Sequence, residues 1–401
     1  MKQGIESVNE LASRLASRAM SKRDFVLNAR NLQFITTGEE DRVELVIQNP
    51  KHPAVHADVQ SARPIYGQVD DHCLSQFATY VDVPFRYIKR MRDNDAPELL
   101  CENLNHWLSR VPEKTKGRLL RSLKVDFDDR NSSEEVRFRS FHSDRYSIFD
   151  DEDLFAACFG QPHEDPATAE HYRGMSPLGR LQSKYGLEIV SMNITPSHFY
   201  LKVTFPNLRA DVSADGEVGD IVQYGLSIGN SEVGKGAIHV DGVLYRLICS
   251  NGMVVGKTLN RRHLGQRNDF GEVSMRDDTR IAYKDAMFKM IRDVIEDTST
   301  EVAFEQVTES IRTAQASTTI VRPIKAVEYA ARELSLSSSE AEKVTESLIS
   351  NRDYSKWGMV NAITHTANTV DDYDRASELE VLGGQVLTFP PRQWLKYAEA
   401  A

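Results

Sequence analysis

IVQYGLSIGNSEVGKGAIHVDGVLYRLICSNGMVVGKTLNRRHLG, residues 221–265, strings together strand-like runs, turn glycines and a cationic end without interruption. In its first run Val222, Tyr224, Leu226 and Ile228 alternate with Ile221, Gln223, Gly225 and Ser227, the period of a β-strand rich in branched and aromatic residues. AIHV and VLYRLIC repeat the pattern. Asp241-Gly242 between them reads as a tight hairpin turn, because both residues tolerate the positive φ angles such a turn needs. Asn251-Gly252 reads as a further turn, and Lys257, Arg261, Arg262 and His263 follow as a basic loop. Working outward, SHFYLKVTF places Phe199, Leu201, Val203 and Phe205 on one face and His198, Tyr200, Lys202 and Thr204 on the other, as expected of a sheet half exposed to solvent. From Asp277 onward Ile281, Met287, Ile291 and Ile295 lie on one helical stripe. Consecutive antiparallel strands followed by a long covering helix predict an α+β fold with a central antiparallel β-meander.

Three ordered phrases carry a family resemblance. YGLSIGNSEVGKGAIHV with YRLICSNGMV and RRHLG, the segment VRFRSFHSDRYSIFD (136–150), and SKWGMVNAITHTANTVDDYDRASELEVLGGQVL (355–387) together resemble the phage- and plasmid-borne proteins grouped under the domain of unknown function numbered 932. The likeness spans roughly residues 69–387. His142 stands where it implies an aliphatic residue. It implies a mobile-element setting and brings no established activity with it.

At 401 residues, with 40% hydrophobic and 27% charged, the chain has the length and balance of a soluble protein of several compact units. No apolar run is long enough to span a bilayer, and the amino terminus lacks the apolar core of a secretory signal, so a cytoplasmic protein without membrane contact is expected. Cys73, Cys101, Cys158 and Cys249 have no paired spacing, which argues against a zinc ribbon or a disulfide framework. The net charge of −10 lacks the global basic footprint of a nucleic-acid coat protein. Locally the balance reverses: residues 84–124 hold ten Lys or Arg against five acids.

The organisation expected from pattern and punctuation has five parts. Residues 1–68 carry an amphipathic helix near 6–20, capped by Ser7 and read as a loose appendage, and short strands of which VELVIQ is clearest. Residues 69–160 form an amino-proximal helical bundle plus an Arg-rich strand at 136–143, with Arg86, Lys89, Arg90, Arg92, Arg110, Lys114, Lys116, Arg118 and Arg121 on the bundle's exposed side. Residues 161–180 read as a loop or insertion, 181–300 as the meander plus long helix, and 301–401 as a carboxy-terminal helical region. Gly383-Gly384 is expected to close its last clear helix and residues 388–401 to trail as a short tail. His52 and His56 straddle Pro53, and His163 and His171 lie in the loop, so no metal site is expected.

No phosphate-cradling loop, dinucleotide fingerprint, HExxH, GxSxG or CxxC is present, and no cofactor is expected. The expected function is therefore a mobile-element-encoded binder of single-stranded nucleic acid, of the kind that serves annealing or recombination. Arginines hold phosphates while aromatic rings stack on bases of any sequence. The residues assigned to contact are Arg137, Arg139, Phe141, Arg145, Tyr224, Lys235, Lys257, Arg261 and Arg262, and a homo-oligomer is expected. For Arg145 the plain alternative is an ion pair to Asp144 or Asp150 that holds a turn. Two other classes stay open. One is a nucleic-acid or nucleotide-processing enzyme built on Glu232, His239 and His263; the other is a non-catalytic scaffold or host-interaction protein using acidic patches such as 371–380.

Overall fold

A computed structural model describes residues 7–37, 42–48, 64–112, 117–124, 135–143, 146–160, 176–213, 219–247, 251–261 and 277–400. The fold is α+β with two sheets, each with its own hydrophobic core.

The smaller core belongs to a six-stranded sheet: β1 (Lys22–Leu27), β2 (Leu32–Thr37), β3 (Arg42–Ile47), β4 (Ile65–Val69), β5 (Arg118–Lys124) and β6 (Glu135–Ser143), in the order β1-β5-β6-β4-β3-β2. Only the β4–β6 pair is parallel. Helices α2 (Asp71–Tyr80), α3 (Phe85–Asp93) and α4 (Pro97–Ser109) pack on it through Leu74, Phe77, Ile88, Leu100 and Leu104. The expected bundle is thus a three-helix layer on a sheet whose strands come from both sides of it in the chain. VELVIQ is a strand of that sheet, as its alternation predicts. The helical reading runs too far at its far end: residues 118–124 are strand β5, and Arg121 on it is wholly buried.

The second sheet is a meander in strict sequence order: β7 (Glu188–Ile194), β8 (Phe199–Asp211), β9 (Ile221–Asn230), β10 (Ile238–Arg246) and β11 (Asn251–Arg261), antiparallel throughout. Asp241-Gly242 is no hairpin turn. β10 runs straight through it, and the irregular register against β11 on either side shows the pair spent on a bulge instead. Asn251-Gly252 likewise opens β11, with Gly252 opposite Tyr245. Lys257 and Arg261 therefore belong to a strand, while Arg262 and His263 lie outside the described residues.

The apolar face of β8 feeds Phe199, Leu201, Val203 and Phe205 into the larger core, and its polar face does not meet solvent as expected: Tyr200, Lys202 and Thr204 are buried, the first two bonded to Asp374 and Glu380. There α1 (Val8–Ser21), α5 (Asp151–Phe159), α6 (Pro177–Tyr185) and the long α7 (Asp277–Thr298) join it, α7 through Met287, Ile291 and Ile295. α1 is no loose appendage: Ser7 caps it as expected, and Leu11 and Leu15 are buried.

The carboxy-terminal region adds α8 (Glu301–Gln315), α9 (Pro323–Glu333), α10 (Ser338–Asn351), α11 (Lys356–Ala367), α12 (Tyr373–Leu387) and α13 (Pro391–Ala398). Gly383-Gly384 does not end a helix. Both lie inside α12, where a Cβ on Gly384 would stand 1.6 Å from the Val254 carbonyl oxygen of β11. The expected tail is helix α13, anchored by buried Trp394, whose indole N–H donates to the Thr318 carbonyl at 2.8 Å. Among the described residues no helix is long and apolar enough to cross a membrane.

Candidate nucleic-acid interface and the charged junction

The two sheets meet at a cluster of largely buried charges. Glu232, in the turn after β9, is its centre: its side chain is 0% exposed and is met by Lys22 at 2.7 Å, Arg139 at 2.9 Å and Arg18 at 3.4 Å. Its Oε1 also accepts from the Asp151 amide at 3.0 Å. Arg121 reaches the other way, donating to Asp24 at 3.0 Å, to Asp150 at 2.6 Å and to the Glu232 carbonyl at 2.9 Å. Lys22 closes onto Glu152 at 2.6 Å, and Asn230 donates to Asp151 at 2.8 Å. Groups from α1, β1, β5, β6, the start of α5 and the β9–β10 turn are thereby tied into one network.

Burial alone would raise the Glu232 carboxyl. The surrounding Arg18, Lys22, Arg121 and Arg139 outweigh it and hold the group well below the usual carboxylate range. Asp151 goes the other way: burial, then the negative charge of Glu232, push it up to about 8. With Asp151 protonated, four cations face the four remaining carboxyls, so the junction can be buried without a large uncompensated charge.

This geometry corrects several sequence expectations. Arg139 is 3% exposed and spent on Glu232 and the Pro196 carbonyl, so it does not reach a phosphate. Phe141 is buried and stacked on Phe77 with ring centroids 4.0 Å apart. The cause is a bulge. Ser140 pairs with Arg121 and Phe138 with Ser122, so Arg139 has no opposite residue and the alternation shifts by one beyond it. Val136 and Phe138 before the bulge and Phe141 after it all enter the core. Tyr224 is 2% exposed, its hydroxyl donating to the Thr298 carbonyl at the end of α7, so it is no stacking platform. Glu232 is not available as a general base, because its carboxylate is enclosed and ionised among cations.

The remaining candidates divide. Arg137 lies before the bulge on the exposed face and pairs with Asp70, the residue that precedes α2. Lys235 is exposed in the β9–β10 turn and donates to the Ser197 hydroxyl at 3.1 Å. His239 sits on β10 against Gly229. Lys257 and Arg261 lie on β11, an edge strand, with Arg261 opposite Ile238 at the end of the meander that carries the Lys235 turn. Arg145 lies outside the described residues, as do Arg262 and His263.

A different surface combines cations with exposed rings. On α3 and α4, Tyr87 and Trp107 are 45% and 43% exposed. Arg86, Lys89 and Arg90 are exposed on the helix that carries Tyr87, and the exposed Arg110 places its guanidinium 6.0 Å from the Trp107 ring centre. Asn103 contacts the Met91 sulfur at 3.8 Å, and Tyr87 and Trp107 each lie one turn farther than that contact from the loop joining the helices. Lys89 is paired with Asp93 at 3.1 Å, whereas Arg86, Arg90 and Arg110 make no ion pair with a described carboxylate. The basic side chains were legible in the sequence. From the sequence Trp107 reads as part of the apolar face with Leu99, Leu100, Leu104 and Leu108; the helix phase instead turns Trp107 and Leu99 outward.

Compared with known proteins, the chain matches no family model, no curated protein and no solved structure.

Proposed function

We propose that this is a cytoplasmic, mobile-element-borne protein, akin to the family it resembles in sequence, that binds single-stranded nucleic acid through the α3–α4 face. Tyr87 and Trp107 offer their rings to bases, and Arg86, Arg90 and Arg110 hold the backbone. One observation carries the reading: large aromatic rings are left nearly half exposed on helices whose arginines have no carboxylate partner among the described residues, on a molecule that neutralises its buried cations. Rings that stack and cations that track phosphates are what a strand of any sequence requires. Arg137 and Lys235 extend the cationic surface on this reading.

The chain supplies its own reporter. Trp357 and Trp394 are buried, so a fluorescence change on adding a strand reports Trp107. Titration with oligo(dT) at low salt is expected to quench emission saturably, and the affinity should fall as salt rises. Trp107→Ala should weaken binding by roughly 1–3 kcal/mol, the worth of one stacked base. Arg86→Ala with Arg90→Ala should make the salt dependence shallower by about one ion per arginine removed. Absence of quenching at low salt refutes the proposal. Self-association along the strand belongs to the same reading, and light scattering with and without the oligonucleotide measures it.

A further inference from the structure

The polar face of the meander carries a feature that neither the junction nor the α3–α4 face uses. Where α11 and α12 cover it, Lys202, Tyr245, Tyr373, Ser377 and Glu380 line a cleft of about 40 Å³ with exposed Asn368 at its rim. That is room for about three waters, or for a few heavy atoms of a larger molecule. Lys202 is buried and donates to Glu380 at 2.5 Å and to the Ser377 hydroxyl at 3.4 Å, so the two formal charges cancel. The Ser191 and Tyr373 hydroxyls bond each other at 2.7 Å.

Two polar atoms are left over. The Tyr245 hydroxyl is buried with no hydrogen-bond partner among the described residues, and Glu380 Oε1 accepts from no described residue. Both residues pack against Gly252, where a Cβ would lie 2.8 Å from Tyr245 Cε1 and 3.1 Å from Glu380 Oε1, so only glycine fits beneath them. A buried hydroxyl without a partner costs about 1–3 kcal/mol. A donor and an acceptor on residues that line one cleft, next to a charge-balanced pair, call for a guest that is uncharged and offers one of each.

We propose that this cleft binds a small neutral molecule, or the edge of a larger one, carrying a carbonyl oxygen beside an N–H: a carboxamide, urea or lactam. Its carbonyl accepts from Tyr245 and Lys202, its N–H donates to Glu380 Oε1, and the Tyr373 ring flanks it. A charged guest is disfavoured, because it would set a like charge against one member of the Lys202–Glu380 pair. The site is separate from the α3–α4 face and does not depend on strand binding.

Saturation-transfer NMR on the full chain, with acetamide, uracil and acetate as probes, tests this. At least one neutral probe should bind saturably and acetate at least tenfold more weakly. Tighter uracil assigns the edge of a larger ring, and tighter acetamide a small free amide. Tyr245→Phe should weaken the preferred probe about tenfold, the worth of one hydrogen bond, while leaving the melting temperature unchanged or higher. Asn368→Trp, at an exposed position, should block entry and gives a second reading if the first variant folds poorly. The inference is overturned if neither neutral probe binds, if acetate binds as well as they do, or if binding survives both substitutions.

Discussion

Arg139 and Arg137 are two residues apart on one strand and should behave oppositely when removed. Arg139→Ala strips a buried partner from Glu232, and an uncompensated buried charge costs about 3–5 kcal/mol. Arg137→Ala removes half of an exposed pair, worth roughly 0–1 kcal/mol. Urea denaturation of the two variants measures the contrast, and equal losses would show that the junction is not buried as described. Asp151 adds a pH signature. Its folded pKa, about 8, lies above the ordinary aspartate value of 3.8, so its contribution to stability is present at low pH and is lost as pH rises from about 4 through 8. Glu232, held low, contributes in the opposite sense as pH falls through the ordinary carboxylate range. Relative to Asp151→Asn, the wild type should therefore lose stability as pH climbs from about 4 to 8, as thermal melts across that window would show.

At the scale of elements, α12 shows why a weak helix sequence can be the right one. Glycine costs a helix interior about 1 kcal/mol relative to alanine, yet Gly383 and Gly384 both lie within it. The Val254 backbone comes so close to Gly384 that any Cβ would displace β11. Gly384→Ala should accordingly destabilise by about 1–3 kcal/mol despite its better propensity, whereas an exposed glycine would gain from the same change. The start of α10 is the ordinary case. Ser337 and Glu340 form a capping box, and Arg375 from α12 bonds both Glu340 oxygens at 2.8 Å. That guanidinium, with the cap, draws the Glu340 carboxyl down to about 2. Ser337→Ala should cost about 1 kcal/mol by thermal denaturation.

Across the whole molecule, the junction couples two cores that would otherwise be independent units. Because Arg121 and Arg139 of one sheet bond groups beside the other, opening either side alone would expose paired charges and strand their partners. Calorimetry should show one cooperative transition for the intact chain, and Glu232→Ala should broaden or split it. Much of this architecture was legible without coordinates. The alternation in 199–205 and 221–228, the stripe along α7 and the Ser7 cap each follow from local periodicity or hydrogen bonding, which neighbouring residues largely determine. So do the basic side chains of α3 and α4. What tertiary structure alone decided is where charge goes. Arg137 and Arg139 look alike in the sequence, but a one-residue bulge against β5 sends one to solvent and the other to Glu232, 93 positions away. Neither the bulge nor the carboxylate waiting for that arginine is a local property of VRFRSF, because each exists only once two distant strands have paired.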